Sequence, residues 1–276
     1  MQASELTFGV EIECFIPATV SPSALARAIT AAGIPAVHMT VGIHATIAQW
    51  KVVPDISVSG EVGFTGVEVV SPILRGADGH AQMRKVADVI KACGAKVTKA
   101  CGLHVHVGAK NATVAQHRNI AKMFLRYEAQ IDRLCPPSRQ NNRFAQSNLR
   151  MAGGDLPTAF TKLDAARSVE QVANVMNGGM MRAGQNHYSG FRYFKLNFQS
   201  MMTHGTVEFR QQAGTIEGAK MSAWVDVVTA IVAVAMSLRV VSKAAPATFD
   251  DLCAKVSSDT AAFIRDRAAR LAIPVR

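Results

Sequence analysis

No stretch of this 276-residue chain stays apolar for the roughly 20 residues a helix needs to cross a bilayer. The longest largely apolar run, Val227 to Leu238, reads as a buried helix, so no membrane partner is expected. The opening Met-Gln-Ala-Ser-Glu-Leu has no basic segment followed by an apolar core, and no signal peptide is expected. Cysteine is scarce: Cys14, Cys93, Cys101, Cys135 and Cys253 are scattered, odd in number and without Cys-x-x-Cys spacing. They suit reduced thiols packed in the core of a cytoplasmic protein. Also missing are a Gly-x-x-x-x-Gly-Lys-Ser/Thr loop and a Gly-x-Gly-x-x-Gly turn, which excludes a P-loop or a Rossmann nucleotide site. There is no internal repeat, no low-complexity tract and no Lys/Arg block.

What is present is a globular composition, 49% hydrophobic and 18% charged, on a chain long enough to bury a sizeable core. The formal charge of +10 comes from basic residues dispersed along the chain. It suits an anionic ligand such as a nucleotide, and nucleic acid is a partner the charge permits without favouring.

The most informative stretch runs from Phe191 to Thr215. Two runs rich in aromatic and β-branched residues flank a Thr-His-Gly corner, as in an antiparallel strand pair with a short connection. Side chains alternate along a strand, so Glu208 and Arg210 share one face, with Val207 and Phe209 opposite. Lys195 and Asn197 share a face in the same way. The pattern recurs in Gly9-Val10-Glu11-Ile12-Glu13, in Gly66-Val67-Glu68-Val69-Val70-Ser71-Pro72, and in Gly102-Leu103-His104-Val105-His106-Val107-Gly108. If these strands share a sheet whose greasy face is covered by helices, the other face collects Glu11, Glu13, Glu68, His104, His106, Lys195, Asn197, Glu208 and Arg210. Carboxylates that close repel one another unless cations lie between them. Acids with one or two imidazoles favour Mg²⁺ or Mn²⁺ over Zn²⁺.

Helices are expected from Pro22 towards Gly33, over Asp78 to Cys93, over Thr113 to Leu134, over Val169 to Met176, over Ile216 to Val241 and over Asp250 to Leu271. Two strands are expected around Gly42. Residues Ser138 to Pro157 are polar and aperiodic and read as a long loop, either a Gly-rich lid or a ligand-binding loop. The order of elements indicates an α+β fold with a largely antiparallel sheet. The expected organisation is one catalytic domain over residues 1–243, with a linker and C-terminal helix over 244–276 packed on it.

The four ordered motifs, with Thr206-Val207-Glu208-Phe209-Arg210 as the last, resemble the amidoligase family of the glutamine synthetase and glutamate-cysteine ligase superfamily. The resemblance covers about residues 6 to 241 and extends to Arg139 with Asn142, Lys195 with Asn197, and Gly214-Thr215. It implies a curved, mainly antiparallel half-barrel sheet with helices on its outer face and an ATP site in the trough. The implied reaction joins a carboxylate to an amine through an acyl phosphate. By motif, Glu11, Glu13, Glu68, His104 and Glu208 would hold Mg²⁺, and Arg139, Asn142, Asn197 and Arg210 would bind ATP. Arg210, Lys195 and His106 would serve the reaction itself. Where the family often has Asp-Gly-Ser, this chain has Asp55-Ile56-Ser57.

Two alternatives come from other classes. A metal-dependent hydrolase would use the His-x-His strand and would need further His and Asp ligands later in the chain, where His187 and His204 occur outside any strand-end motif. A basic nucleic-acid-binding protein would bind without needing Glu11 or Glu208.

Overall fold

The computed structural model of the chain describes residues 2–41, 44–140, 142–179 and 190–272. In chain order the first elements are β1 (Thr7–Pro17), α1 (Pro22–Ala31), β2 (Ala36–His38), β3 (Trp50–Pro54), β4 (Phe64–Val70), β5 (Leu74–Arg75) and α2 (Gly76–Ala92). Next come β6 (Gly102–Gly108), α3 (Val114–Asp132), α4 (Pro137–Gln140), α5 (Asn148–Ala152), α6 (Leu156–Ala165) and α7 (Val169–Asn177). The last are β7 (Leu196–Asn197), α8 (Ser200–Thr203), β8 (Thr206–Ala213), α9 (Gly218–Ser237), α10 (Phe249–Cys253) and α11 (Ser258–Ala272). This is the expected mixture of helices with open, mostly antiparallel strands.

The chain divides into two compact units, neither continuous in sequence. One holds Thr7–Val105 with Gln212–Val225. Its strands run in the order β2-β3-β4-β1, followed by the first residues of β6. β1 pairs antiparallel with β4 and β5, and β3 antiparallel with β4. β2 pairs parallel with β3, so the two strands expected around Gly42 exist as parallel neighbours, while Gly42 itself lies outside the described residues. Helix α1 starts where Ser21 Oγ accepts the Ala24 N–H at 3.1 Å with Pro22 in the first turn, and packs on β2 and β3. The apolar face is dry: Val10, Ile12, Cys14, Val52, Val67 and Val69 are all buried.

The other unit holds His106–Gln211 and the chain from Asp226. Here the rest of β6 is followed by β8 and then β7. Helix α3 is largely buried and is opened by a capping box between Thr113 and Gln116. Its Phe124 meets Phe209 of β8 edge-on at 5.9 Å. The C-terminal segment is tied down here, with Arg267 donating to the Leu134 carbonyl at 2.7 Å and Thr260 to Asp226 at 2.7 Å. By length and composition helix α9 could cross a membrane, contrary to the expectation drawn from the shorter run Val227 to Leu238, yet 67% of its most apolar window is buried, as in a core helix.

Three expectations need correction. Between Phe191 and Thr215 the pairing is antiparallel, Leu196 opposite Phe209 and Asn197 opposite Glu208, but β7 has only two residues. The corner is a helical turn, α8, fastened by Asn197 Oδ1 accepting the Gln199 N–H at 2.7 Å and by Ser200 donating to the Thr206 carbonyl at 2.6 Å. It leaves α8 through Gly205 at φ 66°, where a Cβ would also press on Lys110. Second, residues 138–157 are not one loop: they contain α4, α5 and the start of α6. Ser147 caps α5, which with five residues is too short to show an apolar period, and Asp155 caps α6, whose Leu156, Ala159, Phe160 and Leu163 are buried. Third, the C-terminal helix is broken in two, α10 held by a capping box of Thr248 with Asp251. His187, named above for the hydrolase alternative, lies outside the described residues.

Candidate active site

In the unit built on β1 and β4, register decides which acids meet. Glu13 lies directly opposite Glu68, and Glu11 opposite Val70. Directly opposed residues point to the same face, so Glu11, Glu13 and Glu68 crowd one side of the pair. On the next strand Lys51 opposes Val70 and Val53 opposes Glu68, which puts Lys51 on that face, with Asp55 two residues beyond Val53. Gly66 allows the approach, since a Cβ there would lie 1.8 Å from the Val58 carbonyl oxygen.

Glu13 is buried, and its Oε2 accepts the Gly102 N–H at 2.6 Å. His104 stands between two acids, Nδ1 at 3.1 Å from Glu11 Oε2 and Nε2 at 3.5 Å from Glu13 Oε1. Lys51 is buried and donates to the Ala45 carbonyl at 2.6 Å. Burial pushes its ammonium below the ordinary lysine value, while Glu11 and Glu68 pull the other way. Two sets of side chains bring ligand atoms within 4.8 Å of one another, Glu11 with Glu68 and His104, and Glu13 with Asp55 and Glu68. Carboxylates dominate and each set has at most one imidazole, a donor set suited to a hard divalent cation.

In the other unit, Glu208 is 4% exposed and fully engaged. Asn197 Nδ2 donates to its Oε2 at 2.6 Å, and Arg210 forms a short ion pair with its Oε1. His106 Nε2 lies 3.9 Å from the same oxygen, while its Nδ1 is 2.8 Å from Thr206 Oγ1 and its ring meets that of His204 edge-on at 5.6 Å. Arg210 also lies over the Tyr193 ring at 6.0 Å.

Three residues named from sequence have other neighbours. Lys195 precedes the short β7, and its ammonium is held by Asp132 at 2.6 Å and Glu128 at 3.2 Å, both on α3. Arg139 is buried and donates to the carbonyls of Arg210 at 2.6 Å and Gln211 at 3.2 Å. Asn142 donates to the Ser138 carbonyl at 2.6 Å and accepts from the Phe144 and Ala145 N–H groups at 2.8 and 2.9 Å, so it shapes its own turn.

Sequence reasoning passed over Asp55 and Lys51. Both were legible in Trp50-Lys51-Val52-Val53-Pro54-Asp55, where Lys51, Val53 and Asp55 alternate onto one face. The role of Thr206 beside His106 carried no sequence signal, since it depends on how β6 and β8 align.

Residues 4–232 match the family model described as "Putative amidoligase enzyme". A search of curated proteins finds no match. Similar solved structures include a "novel glutamine synthase homolog", 14% identical over 98% of this chain and 68% of that one, TM-score 0.44. Another is a "GmaS/ADP complex", 12% identical over 97% of this chain and 69% of that one, TM-score 0.43.

Proposed function

Given that the chain belongs to the amidoligase family, we propose that it is an ATP-dependent carboxylate-amine ligase that forms an amide or peptide bond through an acyl phosphate. A ligase-type enzyme follows from the family; the use of ATP and Mg²⁺, with Mn²⁺ as a substitute, is our reading. The observation that carries it is Glu13 facing Glu68 across β1 and β4, with Glu11, Asp55 and His104 alongside. Acids outnumber cations on that strand face, which a protein tolerates where a cation is to bind.

In this reading Glu11, Glu13, Glu68 and His104 are the metal ligands, joined by Asp55. A divalent cation held there would screen phosphate charge and polarise a phosphoryl oxygen. The Gly102 N–H fixes the Glu13 carboxylate, which leaves Oε1 to coordinate. Arg210 supplies a permanent, partly buried positive charge for oxygens that gain negative charge during phosphoryl transfer. Glu208, a ligand by family resemblance, holds that guanidinium in place here, and Asn197 orients Glu208 in turn. His106, with Nδ1 against Thr206, has its Nε2 towards Glu208 and is the imidazole best suited to orient that acid. The carboxylate substrate would attack the terminal phosphorus and release ADP; the amine would then attack the acyl carbon and expel phosphate.

Calorimetric titration of ATP with and without Mg²⁺, on the wild type, Glu13→Ala and Glu208→Ala, tests the reading. Binding that requires Mg²⁺ and disappears in folded Glu13→Ala supports it and justifies screening carboxylate and amine pairs for phosphate release. Folded wild-type protein that binds no ATP with any divalent metal would falsify it.

A further inference from the structure

A cleft of about 400 Å³ opens between the turn after α4 and the segment leading into β7. Its floor is Phe194 and its walls include Arg143, Gln146, Ser147, Arg150 and Met151. The wall is fixed to the chain that carries Lys195: the Gln146 N–H donates to the Tyr193 carbonyl at 3.0 Å, and the Lys195 N–H donates to the Gln146 carbonyl at 3.0 Å. A volume of this size is in the range of small-molecule sites, and the mixture of an apolar floor with a few polar groups is typical of them.

Its charge is one-sided. The lining contains two arginines and no acid. Arg143 and Arg150 are exposed, and among the described residues neither guanidinium has a hydrogen-bond or ion-pair partner. Arg143 instead lies over the Phe144 ring, 4.8 Å from its centroid, and that ring meets Tyr193 edge-on at 5.3 Å. A guanidinium parked on an aromatic face keeps its donor edge open. Phe144, Met151 and Phe191, all at least 40% exposed, add apolar surface at this end of the unit, with Met151 and Phe191 flanking Gly178 and Gly179.

We propose that this cleft binds the anionic end of one of the two substrates, a carboxylate or phosphate attached to an apolar or planar group. The two guanidinium groups take the anion, Gln146 and Ser147 offer further hydrogen bonds, and Phe194 with Met151 takes the apolar part. Assigning the ligand as a substrate rests on the ligase reading; the anion-binding cleft does not.

The test is a titration of benzoate, phenyl phosphate and neutral benzamide into wild type, Arg143→Gln and Arg150→Gln, followed by saturation-transfer NMR. Mg²⁺-ATP binding is measured on the same samples. Both arginines are exposed, so neither substitution threatens the fold. The expected result is that one or both anions bind with a dissociation constant on the order of 1 mM, at least about fivefold tighter than benzamide, and that each substitution weakens them about fivefold or more. Whichever anion binds more tightly identifies the headgroup. Mg²⁺-ATP binding stays unchanged in both variants. Equal binding of all three probes, no binding up to about 10 mM, or indifference to both substitutions overturns the proposal. Loss of Mg²⁺-ATP binding in the variants also overturns it, because the cleft would then belong to the nucleotide. Anion binding with no ATP binding by the wild type removes the substrate assignment and the ligase reading while leaving the cleft's chemistry standing.

Discussion

On the strand face of the unit built on β1 and β4, the carboxylates of Glu11, Glu13, Glu68 and Asp55 share their surroundings with one ammonium, Lys51, and one imidazole, His104. In the unit that holds β7 and β8, each of the corresponding acids has a basic partner: Glu208 pairs with Arg210, and Asp132 and Glu128 share Lys195. The buried, matched pairs hold a geometry, and removing either partner leaves a buried charge exposed to its full desolvation cost. The crowded acids do the opposite: side by side they cost stability, and on the proposed reading a bound divalent cation would recover that cost. Burial lowers the pKa of the lysine among them, and Glu11 and Glu68 pull it the other way.

The contrast predicts opposite signs for similar substitutions. The largest effect is expected at the matched pair. Glu208→Ala should lower the stability of the metal-free protein by about 3–5 kcal/mol, read by urea denaturation; a loss below about 0.5 kcal/mol would mean the pair is not a structural anchor. Next in size is Arg210→Lys, which keeps the charge and loses the planar fork. If Arg210 stabilises phosphoryl charge, the rate of phosphate release should fall about 10²-fold while Mg²⁺ binding is retained. An unchanged rate would remove Arg210 from the chemistry.

The crowded site should respond the other way. Glu68→Gln removes a like charge opposite Glu13 and should stabilise the metal-free protein by about 0.2–1 kcal/mol. The same variant should lose most of the rise in melting temperature that Mg²⁺ gives the wild type. A destabilised metal-free Glu68→Gln would mean that the acids are satisfied without a cation.

The smallest effect sharpens the comparison through pH. His117 is buried on α3 with Nδ1 at 3.0 Å from the Thr113 carbonyl, and burial lowers its pKa below the ordinary value of 6.5. The unfolded chain then binds the proton more readily than the folded one. The stability from a neutral His117 is complete above pH 6.5 and is lost as pH falls below that value. His117→Gln should therefore flatten the acid limb of the stability curve; an acid limb unchanged by the substitution would show that His117 carries none of it.

Much of the site could be read before folding was considered. Glu11 with Glu13, and Glu208 with Arg210, are two apart in strands, and a backbone of period 2 leaves no choice about which side they share. The helices with clear apolar periods, α1, α2 and α3, were legible for the same local reason, and α9 by a long run that is apolar nearly all round. The turn at α8 and the five-residue α5 were not, because a helix of about one turn is specified by its caps and its packing more than by its own pattern; α6 was passed over although Leu156, Ala159, Phe160 and Leu163 have helical spacing.

Partner choice is where sequence stopped. Local alternation gives Lys195 the same standing as Asn197, yet Lys195 is claimed by Asp132 and Glu128 while Asn197 goes to Glu208. Asp55 and Lys51 join the acids because β3 pairs with β4 in one register, and a shift of one residue would turn both to the other face. The sequence by itself determined which residue types alternate on each strand and which helices could cover them, since both depend only on neighbours along the chain. The pairing of Glu13 with Glu68, the capture of Lys195 by α3 and the cleft beside Arg143 and Arg150 were decided by the tertiary structure, because each depends on distances between segments that local sequence does not encode.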